Sequence, residues 1–233
     1  MDSPALYAKC VPHTSFVTSD SEAVGRAGAE AFLRQGFSRF AYVGDAHEWD
    51  WSTLRCRAFK ERLARAGFGC EEYGPLTERE RRDWTLDQKR LVRWLQGLPR
   101  PTAILAAHDG RARQVLETCQ LAELSVPGDI ALLGVDNDEV LCENTTPTLS
   151  SIQPDFELAG YEAARLLEQL MRRTVRTPQT FSYGVKRVVV RESSRYAHAV
   201  DSRLLRGLEF IRLNACATIS VPSWTNPSAS SRC

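Results

Sequence analysis

Acidic side chains close two apolar runs in this chain. Ala103 to Ala107 leads into His108-Asp109, and Ile130 to Val135 leads into Asp136-Asn137-Asp138. A carboxylate accepts two hydrogen bonds from neighbouring hydroxyls, and its charge strengthens each, so these groups suit a small polyhydroxylated ligand. Arg55 adds a planar fork of donors. Trp49 and Trp51 offer rings that can cover the C–H face of a sugar. Asp20 follows the short β-prone run Ser15 to Thr18 and joins the candidates. Each has a structural role open to it as well: Asp20 and Asp109 as helix N-caps, Arg55 as the partner of a surface carboxylate, the tryptophans as packing. Asp136 is the strongest candidate because no helix starts directly behind it. Asp136 and Asp138 on an extended chain point to opposite sides, which argues against an acid-base couple. No nucleophile elbow, phosphate-binding loop or dinucleotide fingerprint occurs, and the expectation is that the chain is not an enzyme.

The elements that must position these residues follow from periodicity. Continuous apolar strands separated by single helical segments imply a parallel sheet covered on both faces, with ligands binding outside the strands' carboxyl ends. Ser19-Asp20-Ser21 starts a helix with Val24, Ala27, Ala31 and Phe32 inward, ended by Gly36. Phe40 to Gly44 is a buried strand, and Ser52 to Gly67 a helix with Leu54, Ala58, Phe59 and Leu63 on its apolar face. Cys70 to Gly74 reads as an edge strand. Trp84 to Gly97 is a helix, stopped by Leu98-Pro99-Arg100-Pro101. Thr148 to Pro154 enters another helix, on which Phe156, Ala159, Ala163, Leu166 and Leu170 form one stripe. Phe181 to Val190 is β-rich.

Asp109-Gly110-Arg111-Ala112-Arg113, with Thr148-Leu149-Ser150-Ser151-Ile152-Gln153-Pro154, resembles the lactose- and galactose-repressor family and, more narrowly, the xylose-operon regulators. The resemblance implies a periplasmic-binding-protein-like type I sugar sensor joined to an arabinose-regulator-type DNA-binding domain. It implies sugar contacts at Asp20, Arg55, His108, Asp109 and Asp136, with Trp49 beside them. His108 stands where the wider family commonly has asparagine. Residues 1–19 are then a lead-in and first-lobe remnant, 20–152 the second lobe, 153–192 the hinge crossing and return, 193–219 a linker and first helix of an incomplete DNA-binding domain, and 220–233 a disordered or frameshifted tail. Leu208-Glu209-Phe210-Ile211-Arg212-Leu213 resembles the opening helix of that DNA-binding domain. The function implied is a sugar-responsive transcriptional regulator truncated at both ends, its effector a pentose, xylose by the resemblance. The alternative is a stand-alone sugar-binding module without regulatory output.

Composition bounds the rest. Thirty basic and 29 acidic residues leave a net charge of +1, which gives no support to a large nucleic-acid-binding face. DNA is therefore expected as a partner of intact family members only. The seven cysteines are scattered, so neither a metal site nor a disulfide framework is expected, and no cofactor is implied. No signal peptide and no apolar run of membrane-spanning length is present, which implies a cytoplasmic protein without a membrane partner. A homodimer is consistent with the family.

Overall fold

The two apolar runs that end in acids are fully buried strands of one sheet. The fold is described from a computed structural model that defines residues 14–47 and 49–195. Its elements in order are β1 (Phe16–Ser19), α1 (Ser21–Arg34), β2 (Phe40–Val43), α2 (Asp50–Ala64), β3 (Glu71–Tyr73), α3 (Glu78–Arg82), α4 (Trp84–Gly97), β4 (Thr102–Ala106), α5 (Asp109–Leu121), β5 (Ile130–Val135), α6 (Glu139–Glu143), β6 (Ser150–Pro154), α7 (Phe156–Met171), β7 (Thr180–Tyr183) and β8 (Val185–Val189), followed by a 3-10 turn at Glu192–Ser194.

Six strands form the main sheet in the order β3-β2-β4-β5-β6-β8. All neighbours run parallel except β6 and β8. β2, β4 and β5 carry no polar group except Thr102 and the Tyr42 hydroxyl, which donates to the Ser52 carbonyl, because both faces are covered. One face packs Val24 and Phe32 of α1 and Phe59 and Leu63 of α2 against Tyr42, Leu105 and Leu133. The other packs Leu91 and Leu95 of α4 and Val115 and Leu116 of α5 against Ile104 and Leu132. The fold is therefore α/β with a largely parallel sheet and helices on both faces, as the sequence implies.

The chain leaves β2 toward β3 on one side and then crosses to β4 on the other. The crevice above β2 and β4 is thus the switch point at which open α/β sheets bind ligands. α2 lies close enough to α1 to be locked by a glycine: a Cβ on Gly25 would sit 2.3 Å from the Arg55 carbonyl oxygen. The absence of a side chain at Gly25 therefore fixes how deeply Arg55 is seated.

Two features differ from the sequence reading. The β-rich run Phe181 to Val190 divides between sheets: β7 pairs parallel with β1 in a separate two-stranded sheet, while β8 turns back to β6. The apolar stripe of α7 is not buried as a stripe. Only Leu166 is enclosed, and Phe156, Leu167 and Met171 are 48%, 59% and 76% exposed. Among the described residues α7 packs mainly against β1 and β7, with one surface ion pair from Glu157 to Lys186 of β8, too little surface to cover an amphipathic helix of this length. The helix expected from Asp201 to Ala215 and the tail from Ser220 lie outside the described residues, as does the lead-in up to His13. No helix among the described residues is long and apolar enough to cross a membrane.

Candidate functional site

The switch point is bridged by a hydrogen bond. Asp45, directly behind Gly44 at the end of β2, meets the Nε2 of His108 at the end of β4, with Oδ2 at 2.9 Å. Burial pushes the Asp45 carboxyl up, but the His108 contact and the His47 amide outweigh it and hold it below its ordinary value. His108 is also the N-cap of α5, its Nδ1 accepting from the Arg111 amide. Both ring nitrogens of His108 are therefore engaged with the protein itself.

Arg55 reaches the same crevice from α2. It is 6% exposed, donates from one terminal nitrogen to the Ala107 carbonyl, and lies 4.6 Å from the ring centre of Trp51. Its Nε is buried without a hydrogen-bond partner. Burial pulls the guanidinium below its ordinary value, and of the surrounding charges Asp136 does most to push it back. Trp51 in turn meets the His108 ring edge-on, centroids 6.0 Å apart.

Asp136 sits where β5 ends. Its amide donates to the Ile152 carbonyl at 2.9 Å, and among the described residues its carboxylate accepts no hydrogen bond. Burial pushes that carboxyl up, partly offset by the positive charges of Arg55 and His108. Tyr183, the last residue of β7, adds a hydroxyl whose titration is raised by burial and by Asp136. The crevice therefore holds a half-buried carboxylate with open acceptor sites, an incompletely satisfied guanidinium, an indole face and a phenol. Those are donors, acceptors and an apolar plate of the kind a sugar ring requires.

Asp109 is built differently. It is 2% exposed, and its oxygens are spent inside the protein: Oδ1 accepts from the Ser151 hydroxyl at 2.6 Å, and Oδ2 from the Asp138 amide at 2.9 Å and the Cys142 thiol at 3.4 Å. It packs so tightly over β5 that a Cβ on Gly134 would lie 2.2 Å from Oδ1. Asp109 is thus joined to the strand ends rather than presented to the crevice, and the cap of its helix is His108. Asp20 caps α1 through the Ala23 amide at 2.8 Å, and its own amide donates to the Tyr183 carbonyl. Trp49 lies beside His47, ring centres 6.0 Å apart, so Trp51 is the tryptophan that the structure joins to Arg55 and His108. Asp138 does not lie on an extended continuation of β5: Asp136 and Asn137 take positive φ values of 109° and 54°, and Asp138 caps α6 through the Leu141 amide. Asp45 carried the same signal as the other strand-ending acids, an apolar run closed by a carboxylate.

A cavity of about 700 Å³ opens on the β2–β3 side, lined among others by Asp45, Ser52, Cys56, Tyr73 and Arg111. It shares Asp45 with the crevice but is not lined by Arg55, His108 or Asp136. The convergence of charged and aromatic groups, not that cavity, marks the candidate site.

Residues 29–194 match the periplasmic binding protein-like domain family. The chain belongs to that family. It is 30% identical over 216 residues to the xylose operon regulatory protein of Escherichia coli (strain K12), covering 92% of this chain and 55% of that protein. The xylose operon regulatory protein of Haemophilus influenzae is 28% identical over 213 residues, 90% of this chain and 54% of the relative. The solved structure of a xylose-binding transcription activator superposes with a TM-score of 0.80 at 29% identity, covering 97% of this chain and 60% of that one. The chain thus spans little more than half the length of these relatives. Membership of the binding-protein-like family agrees with a ligand crevice at the switch point.

The buried Asp109 makes a test of the site's electrostatics. Burial, with the Asp136 charge adding to it, pushes its carboxyl up to about 6, against the hydrogen bonds from Ser151, Asp138 and Cys142. An unfolded aspartate titrates near ~3.9. Between those values the folded state binds more protons than the unfolded one, so this group's contribution is fully present below the unfolded value and is lost as pH rises through about 6. The loss is on the order of 2–3 kcal/mol. Asp109→Asn removes the titration, and its stability should fall less steeply than wild type in urea melts between pH 4 and 7. Parallel profiles for the two proteins would show that Asp109 titrates as an ordinary carboxyl.

Proposed function

We propose that this chain carries the effector-binding lobe of a sugar-responsive transcriptional regulator of the xylose-operon type, acting in the cytoplasm, and that the crevice over β2, β4 and β5 receives the sugar. The observation that carries this reading is the Asp136 carboxylate, half-buried beside Arg55 and without a hydrogen-bond donor from the described protein. Its oxygens are open to the crevice rather than sealed from solvent, and adjacent sugar hydroxyls supply charge-assisted donors to them. Arg55 supplies donors to ring or hydroxyl oxygens, and Trp51 supplies the apolar face. Tyr183 reaches the crevice from the second sheet, so ligand held between Asp136 and Tyr183 bridges the two sheets. Asp20, His108, Asp109 and Trp49 complete the proposed site as a surrounding shell. Similarity to the xylose regulators supports a pentose, D-xylose first, and the regulatory roles those relatives are named for support a DNA-binding output in the whole protein.

The test is a thermal-shift and calorimetric titration of the chain with D-xylose, L-arabinose, D-ribose and maltose. A saturable rise in Tm with D-xylose and a weaker or absent response to maltose is expected, because stabilisation follows ligand concentration relative to Kd. Equal, non-saturating responses to all four sugars would remove the assignment. A stand-alone binding module gives the same titration, and is favoured only if D-xylose leaves DNA binding of the full-length protein unchanged.

A further inference from the structure

The residue next to Asp136 is held by the segment through which the chain leaves this domain. Asp136 and Asn137 both have positive φ, 109° and 54°, a conformation costing a non-glycine residue about 1–3 kcal/mol and kept only where neighbours enforce it. Each of the three amides in the turn is tied: Asp136 to the Ile152 carbonyl, Asn137 to the Ser151 hydroxyl at 2.9 Å, and Asp138 to Asp109 Oδ2 at 2.9 Å. Those bonds all come from the sheet or from α5. The remaining grip comes from elsewhere. Arg191, beyond the end of β8, donates from one guanidinium nitrogen to Asn137 Oδ1 at 2.9 Å and to the Leu149 carbonyl at 3.0 Å, and its amide donates to Ser150 Oγ at 2.7 Å. Behind it the 3-10 turn is nailed to the sheet: Ser193 donates its hydroxyl to the Leu132 carbonyl at 2.7 Å and accepts from the Ser150 amide at 2.9 Å.

We propose that Arg191 is a positioning residue for Asp136, and that through the Asn137 side chain it couples occupancy of the sugar crevice to the docking of residues 191–195. The inference rests on the sugar assignment above. Sugar hydroxyls that bind Asp136 restrain the turn, and a restrained turn presents Asn137 Oδ1 to Arg191 more persistently. By linkage, a docked Arg191 raises sugar affinity by the same factor. The geometry asks for arginine at this place because one terminal nitrogen serves both Asn137 and the Leu149 carbonyl while the other lies 3.9 Å from Glu143 Oε1, a spread that a single lysine ammonium does not span.

The experiment is amide hydrogen exchange on the full chain, wild type, Arg191→Ala and Arg191→Lys, with and without D-xylose. Without sugar, Arg191→Ala should exchange its Asn137 and Asp138 amides at least fivefold faster, while the β4 amides of Ala103 to Ala106 keep their wild-type rates. With saturating D-xylose, wild type should slow exchange at Ser193 and Arg195, a response lost in Arg191→Ala and partly restored in Arg191→Lys. D-xylose affinity should fall five- to twentyfold in Arg191→Ala. Wild-type Asn137 and Asp138 rates in Arg191→Ala, or a sugar response at Ser193 that survives the substitution, overturn the coupling. A wild-type chain that binds no D-xylose overturns the sugar reading instead, and the sugar-free rates still decide whether Arg191 holds the turn.

Discussion

Asp87→Ala should destabilise the domain by about 3–5 kcal/mol, the range found when one member of a buried ion pair is removed. Arg111 and Asp87 meet at 2.7 Å with side chains 2% and 3% exposed. Asp87 also accepts from the Tyr73 hydroxyl at 2.6 Å, and Arg111 donates to Gln114 Oε1 at 2.8 Å and the Gly44 carbonyl at 3.1 Å. The guanidinium carbon lies 5.7 and 5.8 Å from the ring centres of Tyr73 and Trp84. Deleting the carboxylate leaves a buried cation beside two aromatic rings and strips the Tyr73 hydroxyl of its shorter acceptor, with only the Asp87 carbonyl at 3.3 Å remaining. The pair replaced together, Asp87→Leu with Arg111→Met, avoids the unpaired charge and should recover most of the loss. Urea unfolding with an unchanged m-value reads both effects. A single-variant loss below about 1 kcal/mol would mean that the pair behaves as a solvated one. The bond from Arg111 to the Gly44 carbonyl also steadies the loop that carries Asp45, so the damage should extend to the His108 contact.

That ion pair shows where sequence reading stops. Arg111 belongs to the motif that suggested the family, yet nothing in its neighbourhood announces that it is buried, because its partner stands 24 positions away on another helix. Asp87 lies among Leu86, Leu91, Trp94 and Leu95 and looks like the polar side of an amphipathic helix, whereas it is one of the buried positions of α4. The strands were legible for the opposite reason. Burial on both faces demands unbroken apolar runs, and Phe40 to Val43, Ala103 to Ala107 and Ile130 to Val135 have no other stable use. Strand ends located the crevice, and with it Asp136 and His108; Asp45, which closes β2 in the same way, was not among the candidates. What the ends did not reveal was direction. Asp109 and Asp136 both follow an apolar strand, but Asp109 already opens α5 and turns toward Ser151 and Cys142, while two positive φ values redirect Asp136 and Asn137. Trp49 and Trp51 were equivalent as letters and became distinct only once the α2 helix set which indole faces Arg55.

Asp136→Asn should lower D-xylose affinity by roughly 10- to 100-fold, since hydrogen bonds to a charged group contribute about 1.5–3 kcal/mol. Asparagine is the matched replacement because the site has φ of 109°, which asparagine tolerates better than alanine. It also removes a carboxylate that burial penalises, so the sugar-free protein should melt at the wild-type temperature or above it. Opposite signs in one variant, tighter folding with weaker binding, separate a ligand-holding group from a structural one. Arg55→Lys tests the other half of the pair: the positive charge near Asp136 is kept, but the fork that holds the Ala107 carbonyl and packs on Trp51 is lost. It should weaken sugar binding and also lower stability, unlike Asp136→Asn. Calorimetric titration alongside sugar-free melting reads both quantities. An Asp136→Asn protein that binds D-xylose as tightly as wild type would move the site away from the end of β5, and with it the place where sugar joins one sheet to the other.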